Sequence, residues 1–297
     1  MTYSILAWDE RTGQIGGGVQ SHFFQAGNIA LWAQPGIGAV ATQAFADPSY
    51  GPNGLSMMGD RHPPEIALSS LLDKDSASST RQVAFINANG NHAVHTGSDC
   101  FGHAEHSSLP GVIAQGNMLT SAGTTDAMVA AFATAQGDLG SRILAGLEAA
   151  QAHGGDARGQ QSAALRVVSS SRSSLPGKGV LLDLHVDDSV YPLVELRRLL
   201  DLHRIYAHLG VIFEPGIVSG TQTEDATVID SALAAIDRTL AELPNNPEAL
   251  MWRAVILARS HRPGARHARD VAIHANPSLS TFFHNIEREG HLSPHQR

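Results

Sequence analysis

The feature that most restricts the fold is a pair of strand-like runs, Arg81–Asn87 and Asn91–Thr96, hinged on Asn89-Gly90. An Asn-Gly step supplies the positive backbone angles of a tight hairpin turn, so the two runs are expected to pair antiparallel. A second hairpin opens the chain: Tyr3–Trp8 and Ile15–Gln20 flank a six-residue connection that contains Gly13. Further short strands are expected at Gly36–Gln43, Gly111–Gln115, Ala163–Ser169 and Gly179–Val186. Between them the apolar period changes. Ile66, Leu68, Leu71 and Leu72 follow Pro63-Pro64 as a helix with Pro in its first turn. Thr125–Ala135, opened by a Thr/Asp cap signal, and Leu139–His153 read as two more helices. Val194–Leu209 carries a helical stripe of apolar residues. Hairpins followed by helix pairs point to an α+β layered fold rather than a strand-by-strand parallel alternation. Gly- and Ala-rich strands suit two sheets packed closely face to face.

Composition shifts after about Gly210. The segment 214–224 (EPGIVSGTQTE) reads as a linker, and residues 225–242, 246–260 and 264–275 read as successive helices. The run from Asn246-Pro247 to Asn276-Pro277 resembles one tetratricopeptide-type helical hairpin. Such repeats usually need about three copies to stand alone, so a small helical appendage is expected rather than a solenoid. The domain expectation is therefore residues 1–212, a linker at 213–224 and a helical tail at 225–297.

Charge and hydropathy exclude several classes. Net charge is −8, from 20 basic and 28 acidic residues, with no Lys/Arg block. Nucleic-acid binding needs a basic footprint, so it is set aside. No apolar stretch approaches the ~18–20 residues of a membrane helix. The start, MTYSILAWDE, lacks the basic segment of a signal peptide, so a cytoplasmic protein is expected. A single cysteine, Cys100, excludes an internal disulfide framework.

Four segments carry candidate chemistry. Met1-Thr2 is a start from which Met is normally removed, which would leave Thr2 with a free amine at the tip of a strand. A Thr hydroxyl beside its own N-terminal amine has a built-in general base, whose ordinary pKa lies near 8. Many inert proteins also begin Met-Thr. The polar run Gly154–Ala163 contains Asp156, Arg158, Gln160, Gln161 and Ser162, either as substrate contacts or as an Asp156–Arg158 pair bracing a turn. Thr42–Gly51 runs from a strand into a turn. Gln115–Leu119 contains Asn117, whose amide N–H could stabilise an oxyanion or, more commonly, serve a tight turn. His92, His95, His103 and His106 cluster with Asp99, Cys100 and Glu105, but no established zinc spacing is present. No metal and no cofactor is expected from this pattern, and metal-dependent hydrolysis through His92–His106 stands as a lesser alternative.

Seven motifs in order carry a resemblance: Thr2–Ala7, Val19–His22, Ala41–Ala44 with Pro48–Gly51 and Gly54-Leu55, His95–Ser98, Gln115–Leu119, Gly154–Asp156 with Arg158–Leu165, and Asp183–Asp188. They resemble the bacterial family named domain of unknown function 1028, whose fold is like that of the N-terminal-nucleophile (Ntn) hydrolases. The resemblance spans about residues 2–210, and a tetratricopeptide-like tail fits the family. It implies a four-layer αββα sandwich with the nucleophile on the first strand. It further implies Thr2 as nucleophile and base, Ser21 beside it, and Asn117 with the 156–162 loop as oxyanion and substrate contacts. Thr42, Asp47 and Tyr50 join the expected substrate contacts. Asp47 stands where the family usually has Asn, and an ionised Asp could not donate an amide hydrogen bond there. The expectation is an amidohydrolase cleaving a small non-peptide C–N bond in an amide, ureide or lactam. The rival is a non-catalytic binding protein that docks a protein partner through its tail. Self-association is a weaker expectation.

Overall fold

The structure is a computed structural model that describes residues 2–172, 175, 177–213, 216 and 225–288. Met1, residues 289–297 and nearly all of the expected linker at 213–224 lie outside the described residues. The chain divides into two compact units, Met1–Leu200 and Asp201–Arg297.

The first unit is built on two antiparallel sheets. Ten strands follow one another: β1 Thr2–Trp8, β2 Ile15–Ser21, β3 Leu31–Gln34, β4 Gly38–Ala44, β5 Arg81–Asn87, β6 His92–Thr96, β7 His103–Leu109, β8 Val112–Leu119, β9 Ser162–Val168 and β10 Val180–Val186. One sheet has the order β10-β9-β2-β1-β8-β7 and the other β3-β4-β5-β6. Both expected hairpins are present, β1 with β2 and β5 with β6. The helices of this unit are α1 Ala26–Ala30, α2 Tyr50–Gly59, α3 Pro64–Leu72, α4 Thr124–Thr134, α5 Leu139–Ala152 and the start of α6 Pro192–Ala207.

Three apolar clusters stack these elements. Tyr3, Ile5 and Ala7 of β1 meet Ile143, Leu144 and Leu147 of α5 together with Met128 and Phe132 of α4. The alternate β1 residue Leu6 joins Ile15, Val19 and Ile113 against Ala39, Ala41 and Ala84 of the second sheet. On that sheet's outer face Val40, Val83 and Phe85 receive Tyr50, Leu55 and Met58 of α2 and Leu68 of α3. The layer order is thus helices, sheet, sheet, helices. Because β1 and β2 are covered on both faces, they read as near-continuous apolar or small runs rather than alternating ones. Gly17 permits the sheets to close: a Cβ there would lie 2.6 Å from Leu6 Cδ2 and 2.7 Å from Leu31 Cδ1.

Several elements depart from the expectation. The α2 segment, YGPNGLSMMG, has three Gly and a Pro, yet forms a helix because packing outweighs its weak propensity. Its glycines are what let it approach: a Cβ on Gly51 would lie 2.4 Å from the Trp32 ring, and one on Gly54 would lie 2.4 Å from Phe85. The edge strand β7, HAEHSSL, is polar and largely exposed, so it gives no apolar signal. The short α1 and β3 also lay unread between Phe23 and Pro35. The α4 helix is not capped by its own Thr or Asp. Gly123 N and Thr125 N both donate to the Glu105 carboxylate of β7 at 3.0 Å, which places a negative charge at the helix N-terminus. For α5 the cap is local, with Asp138 accepting from Ser141 N at 2.8 Å.

The second unit is helical. It contains the end of α6, a 3-10 segment His208–Phe213, and α7 Ala226–Glu242, α8 Pro247–Arg259, α9 Ala265–Ala275 and α10 Leu279–Arg288. Asp225 caps α7, and Asn246 caps α8 ahead of Pro247. Ala254, Val255 and Ala258 of α8 pack with Ala265, Ala268 and Ala272 of α9 and Phe283 of α10. No helix among the described residues is long and apolar enough to cross a membrane.

Candidate active site

Thr2 opens β1, a central strand, and is paired in register with Ser21 of β2 on one side and Asn117 of β8 on the other. The three expected catalytic residues therefore lie in one row across three adjacent strands. Ser21 is the last residue of β2 rather than just past it. Its hydroxyl lies 2.9 Å from Thr2 Oγ1, a hydrogen bond in which either can donate. Asn117 is buried within β8, not in a turn. Its Nδ2 donates to Gln82 Oε1 at 3.0 Å and to the Thr2 carbonyl at 3.4 Å, so the amide grips the Thr2 backbone rather than open space.

Beneath Thr2 lies a plate of side-chain amides. Gln43 of β4 donates from Nε2 to the Thr2 carbonyl at 3.0 Å and to Gln82 Oε1 at 2.7 Å. Gln43 Oε1 accepts from Ser4 Oγ at 2.7 Å. Gln82 of β5 donates from Nε2 to the carbonyls of Gly116 at 2.9 Å and Glu105 at 3.1 Å. Gln115 of β8 donates to the Ala41 carbonyl at 3.2 Å. Gln43, Gln82 and Gln115 are all buried; the side-chain polar atoms of Gln43 and Gln82 are all partnered, whereas Gln115 Oε1 has no hydrogen-bond partner, and in a low-dielectric interior the paired members fix geometry strongly.

Thr2 and Ser21 face a cavity of about 460 Å³, which Thr42, Gln43, Phe45, Arg81 and Arg158 also line. Ala44, on its wall, has a positive φ of 69°, a strained conformation for a residue with a Cβ. A larger cavity, about 710 Å³, lies at the far end of β1 by Trp8, Asp9 and Arg142. It holds none of the expected catalytic or substrate-contact residues, and we take the smaller one as the candidate site because Thr2 and Ser21 line it.

The other expected contacts divide. Thr42 and Arg158 line the cavity with Thr2 and Ser21, while Asp47, Tyr50, Asp156, Gln160, Gln161 and Ser162 are not among its lining residues. Asp156 is buried and accepts from His22 N at 3.0 Å and Arg158 N at 2.8 Å, with the Arg158 guanidinium 3.3 Å away. The bracing pair is therefore present, and its arginine reaches the cavity. Ser162 Oγ donates to Phe23 O at 2.6 Å and accepts from Ala26 N at 3.1 Å, which fixes the 22–26 loop. Gln161 Nε2 donates to Asp188 at 3.1 Å, and the Gln160 carbonyl lies 3.3 Å from His22 Nδ1. Tyr50 is buried and donates to Asp75 Oδ2 at 3.1 Å; burial and that carboxylate push its phenol well above 10. Asp75 also receives Arg81 Nε at 2.7 Å, which holds its carboxyl below 3.8.

The histidine cluster does not converge. His95 Nε2 lies 2.9 Å from Ser78 O, and His106 Nδ1 lies 2.9 Å from Thr96 Oγ1. Among the described residues no group of three or more His, Cys, Asp or Glu is placed to hold a metal ion.

Residues 2–196 match the family model described as Family of unknown function (DUF1028). The chain belongs to DUF1028. It is similar to the crystal structure of protein SPO2555 from Silicibacter pomeroyi, itself assigned to DUF1028, with 30% sequence identity and a TM-score of 0.61. The similarity covers 68% of this chain and 88% of that one. Among curated proteins none matches this chain.

Within this DUF1028 member, Asp47 departs from the Asn expected of the family. Its Oδ1 accepts from Ser49 N at 2.9 Å, and its carbonyl accepts from Thr42 Oγ1 at 3.3 Å. Both bonds use acceptors, so Asp serves this turn as well as Asn would. The residues that sequence reading missed are Gln43, Gln82, Arg81, Phe23 and Phe45. A signal for the first two was present: β4, β5 and β8 each carry a lone Gln within an apolar or small run.

Proposed function

We propose that this DUF1028 member is an amidohydrolase of the N-terminal-nucleophile type, acting on a small non-peptide C–N bond through Thr2 once Met1 has been removed. The observation that carries the reading is Thr2 Oγ1, paired with Ser21 Oγ at 2.9 Å and facing a cavity from the end of a central strand. The helix–sheet–sheet–helix order supports an Ntn-type αββα sandwich, in which such a nucleophile sits at a strand end.

In the reaction, the Thr2 amine takes the hydroxyl proton as Oγ1 attacks the carbonyl carbon. The C–N bond then breaks, and the same proton passes to the leaving nitrogen. An ester on Thr2 remains. Water adds to that ester, gives a proton to the amine and releases the acid, and Oγ1 regains its hydrogen. Ser21 orients the hydroxyl. Asn117 and Gln43 act as positioning residues, because both hold the Thr2 carbonyl and with it the strand end. No metal or cofactor enters this scheme.

The helical unit is read as tetratricopeptide-like on its Asn246-Pro247 entry and its α8–α9 hairpin, and docking of a protein partner is its proposed role. The test of the enzyme reading begins with the intact mass of purified protein. Loss of Met1, with amide hydrolysis that disappears in Thr2→Ala and survives in part in Thr2→Ser, is the expected result. Retained Met1, or undiminished hydrolysis by Thr2→Ala, would overturn it in favour of the binding-protein rival.

A further inference from the structure

Much of the lining of the Thr2 cavity is apolar and has no part in the reaction scheme: Phe23, Ile29, Phe45 and four alanines. Segments 23–30 and 44–46 supply all of it. Ala26, Ile29 and Ala30 stand at i, i+3 and i+4 of α1, the spacing of one helix face. Ala44, Phe45 and Ala46 follow one another where β4 ends. The positive φ of Ala44 breaks the alternation by which neighbouring strand residues face opposite ways. Phe23 and Phe45 are 55% and 51% exposed, yet both stand on anchored backbone. The Phe23 carbonyl accepts from Ser162 Oγ at 2.6 Å, and that of Phe45 accepts from Arg81 Nη1. The Phe45 ring also meets Phe101 edge-on, with 5.5 Å between centroids. The two arginines of the lining are taken up by the protein itself, Arg81 by Asp75 and the Phe45 carbonyl, Arg158 by Asp156. They brace the wall.

Covering exposed apolar surface is favourable, and a ligand that covers rings on an anchored backbone pays little to order them. We infer that the substrate is a small amide carrying an apolar chain or ring, seated against Phe23, Ile29 and Phe45 while its carbonyl stands over Thr2. This inference rests on the amidohydrolase reading for the position of the reacting bond. A cavity of about 460 Å³ is in the range that takes a single small molecule. Pockets for such ligands are mostly apolar with a few placed polar groups, here the hydroxyls of Thr2 and Ser21.

The probes are three primary amides: butanamide, hexanamide and 3-ethoxypropanamide, which matches hexanamide in length but has an ether oxygen in its chain. Each is titrated by NMR into the full chain carrying Thr2→Ala, so that turnover does not interfere, and wild type is used for hydrolysis. A buried methylene is worth about fourfold in affinity, so hexanamide should bind about tenfold more tightly than butanamide. The ether should bind about tenfold more weakly than hexanamide, because its oxygen meets no donor on Phe23, Ile29 or Phe45. Phe23→Ala in the Thr2→Ala background should cut the hexanamide-to-butanamide ratio to about threefold or less, and Phe23→Leu should keep most of it. Phe24→Ala is the control: that ring is 53% exposed beside Phe23 but does not line the cavity, and the ratio should stay. The three amides compared on an unaltered wall decide the matter should Phe23→Ala fail to fold. Butanamide or the ether binding as well as hexanamide, no binding by hexanamide, a ratio untouched by Phe23→Ala, or one that falls equally with Phe24→Ala would overturn the inference. The two ideas fail separately. Hexanamide that binds selectively but is never cleaved leaves the apolar site standing and removes the nucleophile. Cleavage of all three amides with equal kcat/KM does the reverse.

Discussion

Replacing Gln82 with leucine should separate the amide plate from the apolar packing around it. Gln82 is fully buried, and its Oε1 accepts from both Gln43 Nε2 and Asn117 Nδ2. Leucine keeps similar bulk but removes the acceptor and the donor together. One N–H on Gln43 and one on Asn117 then lose a partner, and the carbonyls of Gly116 and Glu105 lose a donor. A buried unsatisfied group costs about 1–3 kcal/mol, so two orphaned donors cost about 2–6 kcal/mol, offset in part by the added apolar burial. A net loss of about 3 kcal/mol is expected. For a unit of this size, at about 2–4 °C per kcal/mol, the melting temperature should fall by about 6–12 °C. Urea unfolding at unchanged slope measures the same quantity independently. Coupling supplies a second reading. Gln43→Leu with Gln82→Leu should cost less than the sum of the two single changes, because each removes the other's stranded partner. A Gln82→Leu protein melting within about 2 °C of wild type, or strict additivity in the pair, would refute the plate as a cooperative unit.

Other consequences follow from the same structure. Gly54→Ala should cost about 1–3 kcal/mol, because its Cβ would sit 2.4 Å from Phe85 Cζ. Gly59→Ala, at the end of the same helix with its nearest neighbour 3.4 Å away at Ile37, should be neutral or stabilising by up to about 1 kcal/mol; thermal melts of the pair compare the two. Asp75 has its carboxyl held below 3.8, first by the hydrogen bond from Arg81, so folding releases a proton and its contribution is full above that value. Asp75→Asn should therefore lower the melting temperature at neutral pH, and the gap from wild type should close as pH falls from 3.8 through the lower, folded value. Since the floor under Thr2 is made of amides and hydroxyls, hydrolysis should rise with pH through one ionisation, that of the Thr2 amine acting as base; a second ionisation in kcat/KM would contradict this.

The hairpins were legible because turn chemistry is local: Asn89-Gly90 and the Gly13 turn fix strand pairing within a few residues. The α5 helix was legible as the apolar run Leu139–His153 ahead of Gly154-Gly155, both at positive φ, whereas its Asp138 cap emerges only in the structure. What was hidden depended on distant partners. The α2 helix forms only because Trp32 and Phe85 offer flat surfaces to Gly51 and Gly54, and neither contact is visible from YGPNGLSMMG alone. The polar β7 strand exists because β8 pairs with it and Glu105 caps α4. At the site, Thr2, Ser21 and Asn117 were each singled out at strand ends, but their juxtaposition required the strand order β2-β1-β8. Gln43 and Gln82 were passed over because a lone Gln in a strand of small residues looks like a solvent-facing position. Only the stacking of a second sheet turns it inward.

The amide plate also divides the two-sheet core into mechanically unlike ends. Toward Trp8 the sheets meet through Ile15, Ala39, Ile86 and Val168, contacts without direction that tolerate small sliding. Toward Thr2 they are joined by bonds that run from Gln43 and Gln82 to one sheet and from Ser4, Gln115 and Asn117 to the other. Shear between the sheets would break these first. Breathing of the sandwich should thus pivot on the Thr2 end and open at the Trp8 end. Amide hydrogens of Ile15 and Ile86 should then exchange faster than those beside Gln82 and Asn117, although all of them are buried.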